Sequence, residues 1–256
     1  MKKTNEPLIV VQDLSLGYDA GIIVRNANFA VNRGDIFVIM GMSGCGKSTI
    51  MRAMVGLLRP TRGNIFIDGT DMWAADADTR TKIVGTFGVS FQSGALFSSM
   101  TVGENVALPL EMTSNLSATK IQQRVIEKLK TVGLDGCEDL YPSEISGGMI
   151  KRAALARALI NNPNVLFFDE PSAGLDPVRS SELDKLIMDI NRRHGTTIVM
   201  VTHELPTIMT IATNSVYVDC DTRTIGATGK PTEILRTTKN PQIKDFLTRG
   251  QRENKR

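Results

Sequence analysis

The chain has little of what would place it in several common protein classes. It carries three cysteines in 256 residues, Cys45, Cys137 and Cys220. They form an odd set with no CxxC or Cys/His ligand spacing, which excludes a disulfide framework or a zinc scaffold and leaves reduced, cytosolic thiols. Excess charge is almost absent: a net +3 is too small to be the electrostatic footprint of a nucleic-acid binder. Long apolar runs are missing too. Residues 36–40 and 165–168 are apolar, but both fall far short of the roughly 20 residues needed to cross a bilayer. Work at a membrane would therefore need a partner chain. Lys2 and Lys3 near the start are followed by no sustained apolar core or small-residue cleavage site, so no export signal is expected. Repeats and low-complexity blocks are also lacking. What remains, with 41% hydrophobic and 22% charged residues, is an ordinary globular chain long enough for one large domain carrying a subdomain.

Short apolar runs recur at residues 8–11, 36–40, 165–168 and 198–201, the pattern of strands buried on both faces of a parallel sheet. Between about 93 and 162 such runs stop. Residues 120–132 and 149–160 instead show amphipathic helical spacing, with Ile150, Ala154 and Ala158 on one face and Pro163 ending the second pattern. The expected organisation is a core of about 1–92 and 163–230, an inserted helical subdomain of about 93–162, and a tail of about 231–256. The tail should hold two short helices, starting at Pro231 and Pro241, and a polar, basic end. The Arg249 to Arg256 stretch reads as a solvated tail, the alternative being contact with anionic lipid or a partner.

The segment Gly41-Met42-Ser43-Gly44-Cys45-Gly46-Lys47-Ser48 matches the P-loop pattern, and it follows a strand and opens a helix, as that pattern requires. Glycines let backbone amides curl around phosphate oxygens, and the helix N-terminus adds positive dipole. Lys47 would reach the β- and γ-phosphates, Ser48 would ligate Mg²⁺, and Thr49 would touch the α-phosphate. Cys45 reads as a small spacer, since no histidine lies nearby to activate it. At the end of the run 165–168 come Asp169 and Glu170, where ligands of open α/β sheets bind. Asp169 is suited to hold Mg²⁺ through water and Glu170 to act as general base. The run 198–201 delivers His203, a candidate partner of the γ-phosphate or the attacking water. Finally, Ser146-Gly147-Gly148-Met149 opens the helix of residues 149–160, a second helix N-terminus with bare amide donors. A Ser N-cap followed by flexible glycines is the plainer account of the same residues.

With these motifs in this order, the chain resembles the ATP-binding cassette (ABC) family over essentially its whole length. The resemblance implies an α/β fold with a P-loop NTPase core, an N-terminal antiparallel β region and an inserted helical subdomain. It makes Tyr18 the aromatic residue that stacks on adenine and Gln92 the glutamine that senses Mg²⁺ and connects to a membrane partner. Ser146, Gly147 and Gly148 become the family's signature, and Ser172-Ala173-Gly174-Leu175-Asp176 its D-loop, with Asp176 a further nucleotide-binding candidate. ATP and Mg²⁺ are the implied cofactors, and two copies would sandwich ATP head to tail. The signature usually ends in Gln, where this chain has Met149. Ser146 and the glycine amides carry the expected phosphate contacts, so activity should survive that departure.

The segments Phe91-Gln92-Ser93-Gly94-Ala95-Leu96-Phe97, Met100-Thr101-Val102-Gly103-Glu104-Asn105-Val106-Ala107-Leu108-Pro109-Leu110 and Pro142-Ser143-Glu144-Ile145-Ser146-Gly147-Gly148-Met149 are similar to the ATPases of Mla-type and Mce-associated phospholipid transporters. That similarity implies permease subunits, an Mce-domain lipid-binding protein and a small cytoplasmic regulator as partners, no nucleic acid, and a place on the cytoplasmic face of a bacterial inner membrane. An ABC importer for a polar solute such as an amino acid is one alternative. A soluble ABC protein of translation or repair is another, although such proteins commonly carry two cassettes or a long coiled coil.

Overall fold

The computed structural model describes residues 7–19 and 21–253, with the side chains of 249–253 excepted. The basic tail expected at 249–256 therefore lies outside the described side chains. The chain divides into two compact units, residues 1–85 with 190–256, and residues 86–189.

The first unit opens with two long strands, β1 (Pro7–Tyr18) and β2 (Gly21–Asn32), which pair antiparallel. Residues 8–11 are thus not a parallel strand as their apolar run suggests. β1 also pairs antiparallel with β4 (Arg62–Ile67), and the run survives because its neighbours cover it on both faces, leaving Ile9 and Val11 at 0% and 1% exposure. The register slips at several points. Asp13 and Asn26, at φ 47° and 51°, take the left-handed conformation there that Asp and Asn tolerate best among residues with a Cβ. β3 (Ile36–Met40) follows with all five residues buried, then α1 (Lys47–Met54), β4 (Arg62–Ile67), β5 (Thr70–Asp71) and α2 (Ala77–Val84). The antiparallel sheet has the order β2-β1-β4-β5.

The second unit contains β6 (Phe87–Ser90), α3 (Val102–Thr113), α4 (Ala118–Thr131), a 3₁₀ turn at Pro142–Glu144, α5 (Gly147–Leu159), β7 (Val165–Asp169) and most of α6 (Pro177–His194). β6 and β7 pair in parallel, and Phe87 meets Phe167 edge to face at 5.1 Å. α3 starts with a capping box in which Thr101 and Glu104 satisfy each other's amides. Asn105, fully buried, donates to the carbonyls of Phe97, Met100 and Thr101 and accepts from the Phe97 amide at 2.7 Å. One side chain thereby holds a whole loop, because buried backbone groups must find partners.

α5 departs from its amphipathic pattern: Ala153, Ala154, Leu155, Ala156, Ala158 and Leu159 are all buried. The helix packs against α3, α4 and β6, and its alanines allow close approach on several sides.

The first unit resumes with β8 (Thr197–Val201), α7 (Leu205–Ile211), β9 (Asn214–Val218), β10 (Ile225–Gly229), α8 (Pro231–Thr237) and α9 (Pro241–Glu253). β3 lies between β8 and β9, parallel to both, and β10 pairs antiparallel with β9. β3 and β8 are buried throughout, each large apolar side chain contributing about 1.5–3 kcal/mol. The two helices expected in the tail are present, and α9 is anchored by Phe246 against Tyr217 at 5.4 Å. Among the described residues no helix is long and apolar enough to cross a membrane.

Candidate nucleotide site

The loop after β3 runs from buried Gly41 over an exposed crest, Met42, Ser43 and Gly44, back down to buried Cys45, Gly46 and Lys47. Its shape depends on two glycines in particular. At Gly41 (φ 148°) a Cβ would lie 2.6 Å from the Val218 carbonyl oxygen, and at Gly46 (φ 96°) one would lie 2.6 Å from a Val24 methyl. Neither position admits a side chain, and both conformations are ones glycine adopts freely. Gly46 caps α1 with its backbone alone, and the first helical turn contains no acidic residue. The first turn itself thus puts no carboxylate against the amides that open α1, which suits them to an anion. Lys47 is 6% exposed and donates through Nζ to the Gly41 and Met42 carbonyls at 3.0 and 2.8 Å. Its ammonium is thus held inside the curl of the loop. The donor set fits a polyphosphate: backbone amides, one enclosed cation, and the Ser48 and Thr49 hydroxyls at the start of the helix.

A cleft of about 330 Å³ beside this loop is lined by Tyr18, Ile22, Gly44, Cys45, Cys220 and Arg223 among others. Tyr18 ends β1 and is 48% exposed, so the aromatic candidate does share a cleft with the loop. Cys220 and Arg223, on the turn between β9 and β10, entered no motif. His203 lies two residues past β8 and is exposed.

In the second unit, Asp169 closes β7 and Glu170 follows it, at 8% and 9% exposure. Glu170 has φ 49°, a left-handed conformation that costs a residue with a Cβ roughly 1–3 kcal/mol. The Glu170 carbonyl accepts from the Ala173 amide at 3.2 Å, which turns the chain sharply into residues 172–176. Asp176 Oδ1 accepts from the amides of Val178 and Arg179, both at 3.0 Å, and Oδ2 lies 3.3 Å from Arg179 Nε. The carboxylate thereby caps α6, and the bonds from the Arg179 amide and charge hold its pKa below the usual range.

Gln92 is exposed two residues after β6, and its carbonyl accepts from Lys151 Nζ on α5. Burial lowers the Lys151 pKa, while the Glu170 charge works in the opposite direction. Lys151 thus links the Gln92 loop, the start of α5 and the Glu170 carboxylate electrostatically. Arg157 extends the same connection, donating to the Gly94 and Ala95 carbonyls at 2.8 Å each. Neither cation was singled out in the sequence, because a Lys and an Arg on an expected helix carry no signal of which loop they meet.

Ser146 caps α5, its Oγ accepting from the Met149 amide at 3.3 Å. The plainer account of that serine is therefore realised, but it does not explain Gly147. A Cβ there would meet nothing within 4 Å, and the residue has no positive φ. Among the described residues nothing demands glycine at this position, where alanine would favour the helix. An adjacent cleft of about 230 Å³ is lined by Ser146, Gly148, Met149, Lys151, Arg152 and Arg179 among others. The same cleft holds Glu182, which pairs with Arg152 at 2.7 Å.

Comparison with known proteins settles the class. A family model described as ABC transporter matches residues 24–173, more than half of the chain. The chain belongs to the ABC transporter family, as an ATP-binding and ATP-hydrolysing subunit. It is 37% identical over 247 residues to the intermembrane phospholipid transport system ATP-binding protein MlaF of Escherichia coli K12, covering 96% of this chain and 91% of that one. It is also 41% identical over 239 residues to the probable ribonucleotide transport ATP-binding protein mkl of Mycobacterium leprae, covering 93% of this chain. The chain spans about two thirds of the length of that relative and of its mycobacterial counterparts, 68% and 66%. Two solved structures show the same fold. The cassette MJ0796 bound to ADP and Pi superposes with a TM-score of 0.78 at 29% identity, over 87% of this chain and 98% of that one. The cbiO1 subunit of Clostridium perfringens gives 0.82 at 27% identity, over 97% and 98%.

Proposed function

We propose that the chain drives a transporter of phospholipid or a related hydrophobic molecule across the cell envelope, from the cytoplasmic face of the inner membrane. Near-complete mutual coverage with MlaF carries this reading. The mycobacterial relatives, named for ribonucleotide transport, favour a second one, in which the solute is polar.

The site residues take these roles in the proposal. The amides of residues 41–49 and Lys47 bind the β- and γ-phosphates, Thr49 the α-phosphate, and Tyr18 the adenine. Ser48, Asp169 and Gln92 hold Mg²⁺, which when bound neutralises charge on the phosphate oxygens. Glu170 takes a proton from the attacking water and His203 orients the γ-phosphate. Ser146, Gly147 and Gly148 close on ATP held by a second copy of the chain, with Asp176 on the edge of that contact. Permease subunits receive the motion through the helical segment that follows Gln92, with an Mce-domain protein and a small regulator as further partners.

Co-purification from detergent, followed by reconstitution, tests the transport reading. An integral membrane partner and ATP turnover stimulated by phospholipid are expected. Repeated isolation without such a partner, or stimulation by ribonucleotide or amino acid instead, would overturn it.

Gly147→Ala tests the role of the signature. The space around this position and alanine's preference for helix imply unchanged or slightly raised stability, while ATP turnover should fall at least tenfold. Equal loss of thermal stability and turnover would return Gly147 to a purely local role.

A further inference from the structure

Cys45 and Cys220 are far apart in sequence, but the first unit brings them together. The parallel register of β3 and β9 sets Met40 beside Tyr217, so the chain leaves both strands at one place. A Cβ on Gly41 would sit 2.6 Å from the Val218 carbonyl oxygen and 2.9 Å from Cys45 Sγ, which puts the Cys45 sulfur near the end of β9. Cys220 stands two residues past β9, on a turn pinned in two ways. Asp219 Oδ1 accepts from the amides of Asp221 and Thr222 at 2.8 and 3.0 Å. The Arg25 amide donates to the Arg223 carbonyl at 2.7 Å, and Arg223 Nη1 donates to the Ile22 carbonyl at 2.6 Å. Both sulfurs line the cleft shared by Tyr18 and Gly44. Cys45 is buried and Cys220 exposed.

We propose that Cys45 and Cys220 are a dithiol oxidised by hydrogen peroxide, and that their disulfide shuts the nucleotide cleft. The second half of this proposal rests on reading residues 41–49 as the phosphate loop. Both Cys45 neighbours, Gly44 and Gly46, are in left-handed conformations at φ 82° and 96°, so the cysteine sits where the loop is most sharply shaped. A covalent tie to the β9–β10 turn would pin the loop at its most sharply shaped point and hold the disulfide in the cleft that Tyr18 also lines.

The two thiols have different parts to play. Burial pushes the Cys45 thiol up to about 11, against the opposing pull of the Lys47 charge, so it is protonated at neutral pH and meets peroxide more slowly than an exposed thiol. Exposed Cys220 therefore reacts first. Its thiolate attacks one peroxide oxygen, the O–O bond breaks, and the departing hydroxide takes a proton to become water, leaving a sulfenic acid. The Cys45 sulfur then attacks the sulfenic sulfur. The S–S bond forms, the S–O bond breaks, and the hydroxyl leaves with the thiol proton as a second water. Two thiols are oxidised and one peroxide is reduced to two waters. Cys137 belongs to the other unit and lines a different cleft.

The test exposes the full chain to hydrogen peroxide and then follows two readouts, peptide mass spectrometry without reduction and binding of a fluorescent ATP analogue. A linked Cys45–Cys220 peptide is expected, with binding weakened roughly tenfold or more and restored by dithiothreitol. Cys220→Ser, which has no assigned part in ATP binding, should keep its binding under peroxide. Absence of the linked peptide would overturn the dithiol. A linked peptide with unchanged binding would overturn its effect on the cleft, as would a Cys220→Ser chain that loses binding as fast as its parent. Failure of the reduced chain to bind the analogue would instead sink the phosphate-loop reading, while the linked peptide still decides the dithiol.

Discussion

Replacing Glu170 by Gln should leave ATP binding intact while turnover falls by about 10²–10⁴, the usual contribution of a positioned general base. The substitution keeps size and hydrogen-bonding shape and removes only the capacity to take a proton. Glu170 is suited to that test because it is buried and follows Asp169 directly, while its left-handed backbone at φ 49° separates its role from its neighbour's. Gln adopts that conformation at a similar cost, so the fold should be undisturbed. If hydrolysis is what separates two closed chains, the variant should also accumulate as an ATP-bound dimer. Single-turnover kinetics and size-exclusion chromatography with ATP check both points, and undiminished turnover would remove Glu170 from the reaction.

Lys47→Ala should fail at an earlier step. A charge-assisted contact contributes about 1.5–3 kcal/mol, so nucleotide affinity should fall by roughly ten- to a hundredfold or more. The enclosed ammonium also serves the Gly41 and Met42 carbonyls, so the nucleotide-free chain should lose some thermal stability as well. Titration with an ATP analogue and melting without nucleotide separate the two effects. A binding loss no larger than the stability loss explains would mean that Lys47 merely braces the loop.

The parts of the site that were legible in the sequence are those whose chemistry is compact in the chain. β3, β7 and β8 appeared as continuous apolar runs because each is buried on both faces. The loop of residues 41–48 appeared because its glycines, lysine and serine must be adjacent to work together. The run at residues 8–11 misled because an antiparallel strand covered on both faces looks the same as a parallel one. α5 misled in another way: small alanines let neighbours pack around it, so burial did not follow the apolar stripe. Cys220 and Lys151 were silent, since each takes its meaning from a residue far away in the chain. Gly147 belongs to a motif in the sequence, but only the structure shows the empty space around it.

The central claim is that the phosphate loop of one chain and the signature of another together make each ATP site. Mixing two separately inactive variants, Lys47→Ala and Gly147→Asp, tests it most directly. In a head-to-tail pair, the intact loop of one variant faces the intact signature of the other, so one whole site is rebuilt and ATP turnover should return on mixing. Turnover that stays absent in the mixture, although the two chains are shown to associate, would contradict the account.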